Sequence, residues 1–178
     1  MAEKFAPDFI ANGANSWTPQ LTNQFYIQIA IPGVKSLSQS REVYLAVAGG
    51  GIPGSSFEEV TIDFVNMQTF MAGAIRFETF ALRVRDFIDA GSRQALYDWF
   101  VLVGDPQTGK MGLPNQYKTD GNIILFAPNG SAERSWKVEG VWPQAQNWGD
   151  LDYSTVENLE MEFTLRCDRA YLAPRIVM

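Results

Sequence analysis

From the amino terminus, the first regular pattern begins at Asn23: Phe25, Ile27, Ile29 and Ile31 alternate with Tyr26, Gln28 and Ala30, the two-residue period of a half-buried strand. Pro32-Gly33 ends it. A second strand is expected from about Glu42 to Ala48, then a bend at Gly49–Gly54, then renewed alternation from Phe57 to Asp63. Asn66–Met71 and Arg76–Arg85 read as further strands, the latter with Phe80, Leu82 and Val84 on one face. One segment has a helical period. Between about 89 and 103, Ala95, Leu96, Trp99, Phe100 and Val103 recur at three- and four-residue spacing, with Asp89 or Ser92 as the expected cap and Gly104-Asp105-Pro106 as the stop. Beyond a polar, glycine-rich loop to Gly121, Asn122–Phe126 and Ser135–Val141 flank Pro128-Asn129-Gly130, a hairpin signal. The last strand has the sharpest alternation: Leu159, Met161, Phe163, Leu165 and Cys167 against Asn158, Glu160, Glu162, Thr164 and Arg166.

These elements predict a mostly β domain, a β-sandwich or barrel with one flanking helix. Residues 1–178 read as a single domain: an irregular arm over 1–22, a sandwich over 23–171 with the helix at about 89–103, and a tail over 172–178. No solenoid-type repeat is visible. With 46% apolar residues the chain can fill a core, and no run approaches the ~18 apolar residues of a membrane-spanning helix. A membrane protein is not expected. The segment MAEKFAPDFI has no apolar signal-peptide core, and the single Cys167 has no intrachain partner, so a reducing cytoplasm is the expected site of folding.

Charge changes the picture more than composition does. Fourteen basic and twenty acidic residues give a net charge of −6, the wrong sign for holding a phosphate backbone. The chain contains no histidine, which removes the usual general base and the commonest metal ligand. No Lys or Arg occurs from Glu42 to Ile75 or from Val138 to Leu165, yet these stretches hold Glu42, Glu58, Glu59, Asp63, Glu139, Asp150, Asp152, Glu157, Glu160 and Glu162. Two readings stand: separate solvated faces, or one shared negative surface.

Motifs that resemble chemistry fail on context. Gly49–Gly54 has dinucleotide-loop spacing, but Pro53 lies inside it and a strand follows where a helix is required. Gly104–Lys110 has phosphate-loop spacing, but Met111 stands where the magnesium-binding hydroxyl belongs, and a helix rather than a strand precedes it. Asn129-Gly130-Ser131 fits a glycosylation sequon and reads as a turn. Glu160 and Glu162 share one side of a strand without a partner for paired-carboxylate catalysis. Cys167 falls on an apolar face as an inert thiol. No catalytic residue, metal site or cofactor is expected.

The carboxy-terminal half carries a recognisable order of motifs: VEGVWP (Val138–Pro143), an acidic loop with Trp148, Gly149, Asp150 and Leu151, and DYSTVENLEMEFTLRCDRAYL (Asp152–Leu172). Upstream, RQALYDWF (Arg93–Phe100), TFMAGAIRFETFALRV (Thr69–Val84) and the GIPG bend stand in matching order. Together, over roughly Phe25–Tyr171, they resemble the tail tube proteins of contractile-tailed bacteriophages. The resemblance implies a subunit of the virion tail, six to a ring, with rings stacked into a tube lined by a continuous β-barrel. It implies as partners further copies of the chain, a tail sheath protein, and baseplate and tail terminator proteins, with DNA passing through without tight binding. On this reading Glu58, Glu59, Asp63, Asp152, Glu160 and Glu162 are expected to face the channel, and Phe64, Phe70 and Met71 in the Asp63–Ala72 hairpin to contact the adjacent ring. The inner tube of a phage-derived injection machine or tailocin is the alternative; a small-ligand-binding barrel with a closed apolar cavity is more distant.

Overall fold

A computed structural model describes residues 20–34, 43–88, 91–154 and 156–174. Residues 1–19 of the arm expected over 1–22, the expected strand start at Glu42, a cap from Asp89 and the tail beyond 174 lie outside the described residues. The strands are β1 (Phe25–Ile29), β2 (Val47–Gly50), β3 (Ser55–Phe64), β4 (Met67–Phe77), β5 (Phe80–Arg85), β6 (Thr119–Phe126), β7 (Ala132–Asn147), β8 (Glu160–Arg166) and β9 (Arg169–Leu172); the helices are α1 (Ser92–Val103) and the short α2 (Pro114–Tyr117). The mostly β class with few helices is as expected.

One antiparallel path runs β1-β6-β7-β8-β5-β2, with β9 added along β7. The sixteen-residue β7 is its backbone. Its first half pairs with β6 and β9, and its second half with β8. The bend between the halves falls at Gly140, whose φ of 64° lies in the left-handed region. A Cβ there would fall 2.3 Å from Asp168 Oδ2, and the Gly140 N–H donates to Asp120 Oδ1 at 3.1 Å. The strand expected over Ser135–Val141 runs on past Val141 to Asn147, with Pro143 at a register shift opposite Leu165. A bulge is where a central strand tolerates a residue with no N–H.

The alternation read from the sequence becomes the core. Ile27 and Ile29 of β1, Phe80, Leu82 and Val84 of β5, Ile123 of β6, Val138 and Val141 of β7, and Met161, Phe163 and Leu165 of β8 are buried together. Helix α1 covers them with Ala95, Leu96 and Trp99, and the Trp99 indole N–H donates to Tyr117 O at 2.7 Å. Three local expectations are corrected. Gly91, not Ser92, occupies the cap position of α1, and the Ser92 hydroxyl is buried inside the first turn. Residues 43–46 form a helical turn before β2 rather than the first half of a strand. Arg76–Arg85 is split between β4 and β5 at residues 78–79. The tail also begins later than expected, since Leu172 belongs to β9, whose Ala170 packs on the core.

Strands β2 and β5 continue outward as β3 and β4. Across the junction Gly51 N–H donates to Ala81 O at 2.9 Å and Glu78 N–H to Gly54 O at 2.9 Å. The chain from Val47 to Arg85 is therefore one long two-stranded ribbon, rooted in the sheet and projecting beyond it.

Candidate assembly surfaces

The outer part of the ribbon is the most unusual surface of the molecule. All ten residues of β3 and nearly all of β4 are exposed. Register fixes its two faces, because directly paired residues of an antiparallel ladder share a side. Val60 pairs with Met71, Ile62 with Thr69 and Phe64 with Met67, which gives one apolar face. Glu59 pairs with Ala72, Thr61 with Phe70 and Asp63 with Gln68, which gives a mainly polar one. Val65 at the turn is 100% exposed and Met67 74%. An apolar face of this extent has no packing partner among the described residues, and such patches mark interaction surfaces.

The residues expected to contact a neighbouring ring thus divide. Phe64 and Met71 lie on the apolar face, and Phe70 on the opposite one. The expected channel carboxylates divide as well. Glu59 and Asp63 share the polar face of the ribbon. Glu58 sits at the register shift between Phe57 and Glu59, ion-paired with Arg76. Glu160 and Glu162 lie together on the outward side of β8, between buried Met161 and Phe163. Asp152 is in the exposed loop before β8, where Ser154 donates from both its backbone N–H and its hydroxyl at 2.8 Å. Those bonds hold the Asp152 carboxyl below the usual range.

Sequence reasoning missed what faces Glu160 and Glu162. On β5, Arg85 pairs directly with Glu160 and Arg83 with Glu162, and Arg85 Nε lies 3.6 Å from Glu160 Oε1. The signal was present: Arg83 and Arg85 alternate with the buried Leu82 and Val84, so they must point outward beside any strand paired to β5.

A second missed feature is a groove of about 840 Å³ between the two ends of the sheet path. Strands β1 and β2 touch at its floor, where a Cβ on Gly50 would fall 2.3 Å from Ile27 Cδ1. Above the floor Tyr26, Tyr44, Leu21 and Ile52 line it, with Arg83 and Arg85 on one bank. The Tyr26 and Tyr44 rings stand 5.7 Å apart, centroid to centroid, and burial together with Tyr26 raises the Tyr44 phenol pKa. The groove is open and charged on one side, unlike the closed apolar cavity of a ligand-binding barrel.

Cys167 is buried, and burial pushes its thiol pKa up. Among the described residues, no group of three or more His, Cys, Asp or Glu is placed to hold a metal ion, and no helix is long and apolar enough to cross a membrane.

The mostly β fold described above, with its long shared strand and projecting ribbon, is similar to that of tube proteins of phages and contractile injection systems. No protein-family model matches the chain. The tail tube protein of Serratia phage KSP90 is 22% identical over 154 residues, covering 85% of each chain. Among solved structures, a chain of the extended sheath–tube complex of an extracellular contractile injection system (PVC) is similar over 96% of this chain and 99% of its own, with 17% identity and a TM-score of 0.66. The SPP1 tail tube is similar over 89% of this chain and 81% of its own, with 12% identity and a TM-score of 0.55. The resemblance read from the sequence is borne out, and these relatives are structural proteins rather than enzymes.

Proposed function

We propose that this chain is the repeating subunit of a tail tube, assembled as hexameric rings that stack into a hollow cylinder conducting DNA during ejection. A tail tube role in a phage or a contractile injection system is supported by its relatives; ring number, stacking, lumen and cargo are our reading. The observation that carries it is the ribbon, an apolar surface rooted in the sheet and left without a partner among the described residues. A soluble monomer would hold such a surface in water at the risk of edge-to-edge aggregation, whereas stacking buries it. On this reading Phe64 and Met71 meet the adjacent ring directly, and Phe70 meets it only where the partner wraps both faces.

The lumen is proposed to be lined by Glu59 and Asp63 together with the β8 face carrying Glu160 and Glu162, with Glu58 and Asp152 toward its rims. A net negative wall repels the phosphate backbone and keeps passage free of tight contacts. The outer wall is proposed to meet sheath protein, and the two ends of the cylinder baseplate and terminator proteins. The setting is a virion tail assembled in the host cytoplasm. The test is a reconstruction of the purified protein: six-fold stacked rings with these carboxylates on the inner surface are expected, and a persistent monomer, or carboxylates on the outside, refutes it.

A further inference from the structure

Among the described residues the groove between β1 and β2 has no occupant, and its chemistry is specific. Among the described residues β1 pairs only with β6 and β2 only with β5, so each presents its other edge to the groove. Its wall is aromatic and aliphatic, through Tyr26, Tyr44 and Ile52. Arg83 and Arg85 add positive charge on one side. Arg85 is shared with Glu160, whereas Arg83, exposed on the sheet, makes no ion pair among the described residues. The groove therefore selects a segment that is apolar, acidic and projecting.

The chain carries such a segment in the loop that follows β7. Asp150, Leu151, Asp152 and Tyr153 are all exposed, Leu151 at 88% and Tyr153 completely. No Lys or Arg lies between Val138 and Leu165 to neutralise it. The root of the loop is fixed: Trp148 packs against Tyr97 of α1 and edge-on to Phe163 of β8, with centroids 5.9 and 6.2 Å away. The loop is presented from a rigid base, so docking it costs less ordering entropy than docking a free tail.

We infer that the Asp150–Tyr153 loop of one copy seats in the β1/β2 groove of the next, with Leu151 and Tyr153 against the aromatic wall and Asp152 beside Arg83. Groove and loop are different surfaces of the subunit, so the contact is head-to-tail, and repetition either closes a ring or propagates a filament. This inference rests on the tube reading and names the surfaces that join neighbours within it. Charge complementarity favours this loop over the ribbon, whose projecting surface is more apolar and already proposed for stacking.

The test uses the full chain with one cysteine in each surface, Ile52→Cys in the groove and Tyr153→Cys in the loop; buried Cys167 stays in place. A ladder of covalent oligomers after oxidation of assembled protein is expected. If tubes form and no ladder appears, or if Ile52→Cys instead couples to Val65→Cys at the ribbon turn, the loop assignment is overturned while the tube reading stands. If the unmodified protein never forms rings, both fall. As an independent check, Arg83→Glu is expected to raise the concentration needed for assembly about tenfold, ~1.4 kcal/mol per contact. Asp152→Arg in the same chain restores it. No rescue, in a variant whose circular dichroism matches the parent, overturns the pairing.

Discussion

Replacing Val60 and Met71 together by serine tests the apolar face of the ribbon where its contribution can be worked out. The two residues pair directly across β3 and β4 and are 48% and 56% exposed. Full burial of a valine or methionine side chain is worth ~1.5–3 kcal/mol. About half of each surface is already shielded in the subunit, so docking recovers roughly 1 kcal/mol per residue, or about 2 kcal/mol for the pair. At ~1.4 kcal/mol per decade the double variant should assemble at a concentration roughly 30-fold higher. The folded monomer should scarcely notice, because surface strand positions cost only ~0.5 kcal/mol or less each. Sedimentation velocity across a concentration series reads the first quantity, and a near-ultraviolet melt of dilute protein reads the second. An assembly threshold moved by less than threefold refutes the reasoning. So does a monomer melt that collapses, which would mean the face is packed within the subunit. Phe70→Ser, on the opposite face, is the control, and greater damage from it than from the pair would put the partner on the wrong side.

Four further outcomes follow from the subunit itself. Gly140→Ala forces a side chain into a left-handed position and against Asp168, and should lower unfolding free energy by ~2 kcal/mol or more in a denaturant titration. Trp99→Phe removes the donor to Tyr117 O and should cost ~1–3 kcal/mol by the same measurement, with the carbonyl left unpartnered. Hydrogen bonds from Lys137 and Tyr171 hold Glu139 below the usual carboxylate range; its stabilising effect is therefore present above the unfolded-state pKa and lost as pH falls through the depressed folded value, so Tyr171→Phe should flatten the acid limb of a melting-temperature profile. Cys167 should react with a thiol reagent only at the rate of unfolding, and fast labelling of native protein would show that the β8 face is not closed.

Where the chain packs against itself, its sequence was legible. β8 and β5 were readable because one face is core and the other is not, so Met161, Phe163 and Leu165 or Leu82 and Val84 announce both the strand and its orientation. The helix was readable from Ala95, Leu96 and Trp99 for the same reason. The helical turn at 43–46 was not, because Val43 and Ala46 are buried at a spacing of three inside a stretch whose residues also suit a strand. The continuation of β7 past Pro143 was hidden too, since proline normally marks an end and only the bulge opposite Leu165 makes it acceptable. The ribbon was recognisable as strands but not as a projection: alternation says that two faces differ, and only the absence of a packing partner says that the apolar one looks outward.

The arginines alter what the acidity of the chain can do. Taken along the sequence, Glu160 and Glu162 belong to a stretch with no positive charge, but across the sheet each faces an arginine of β5. Opposite charges a strand apart cancel beyond a Debye length of ~8 Å at physiological salt, so that face presents a nearly neutral surface to anything passing at a distance. Of the expected channel carboxylates on strands, Glu59 and Asp63 on the ribbon are the ones that face Ala72 and Gln68 rather than a cation. A repulsive lumen therefore depends on the ribbon being folded into the wall of the assembled tube. In the proposed tube the same element would supply both the apolar face that joins subunits and the carboxylates that keep a polyanion off the surface, with alternation along β3 assigning one task to each side.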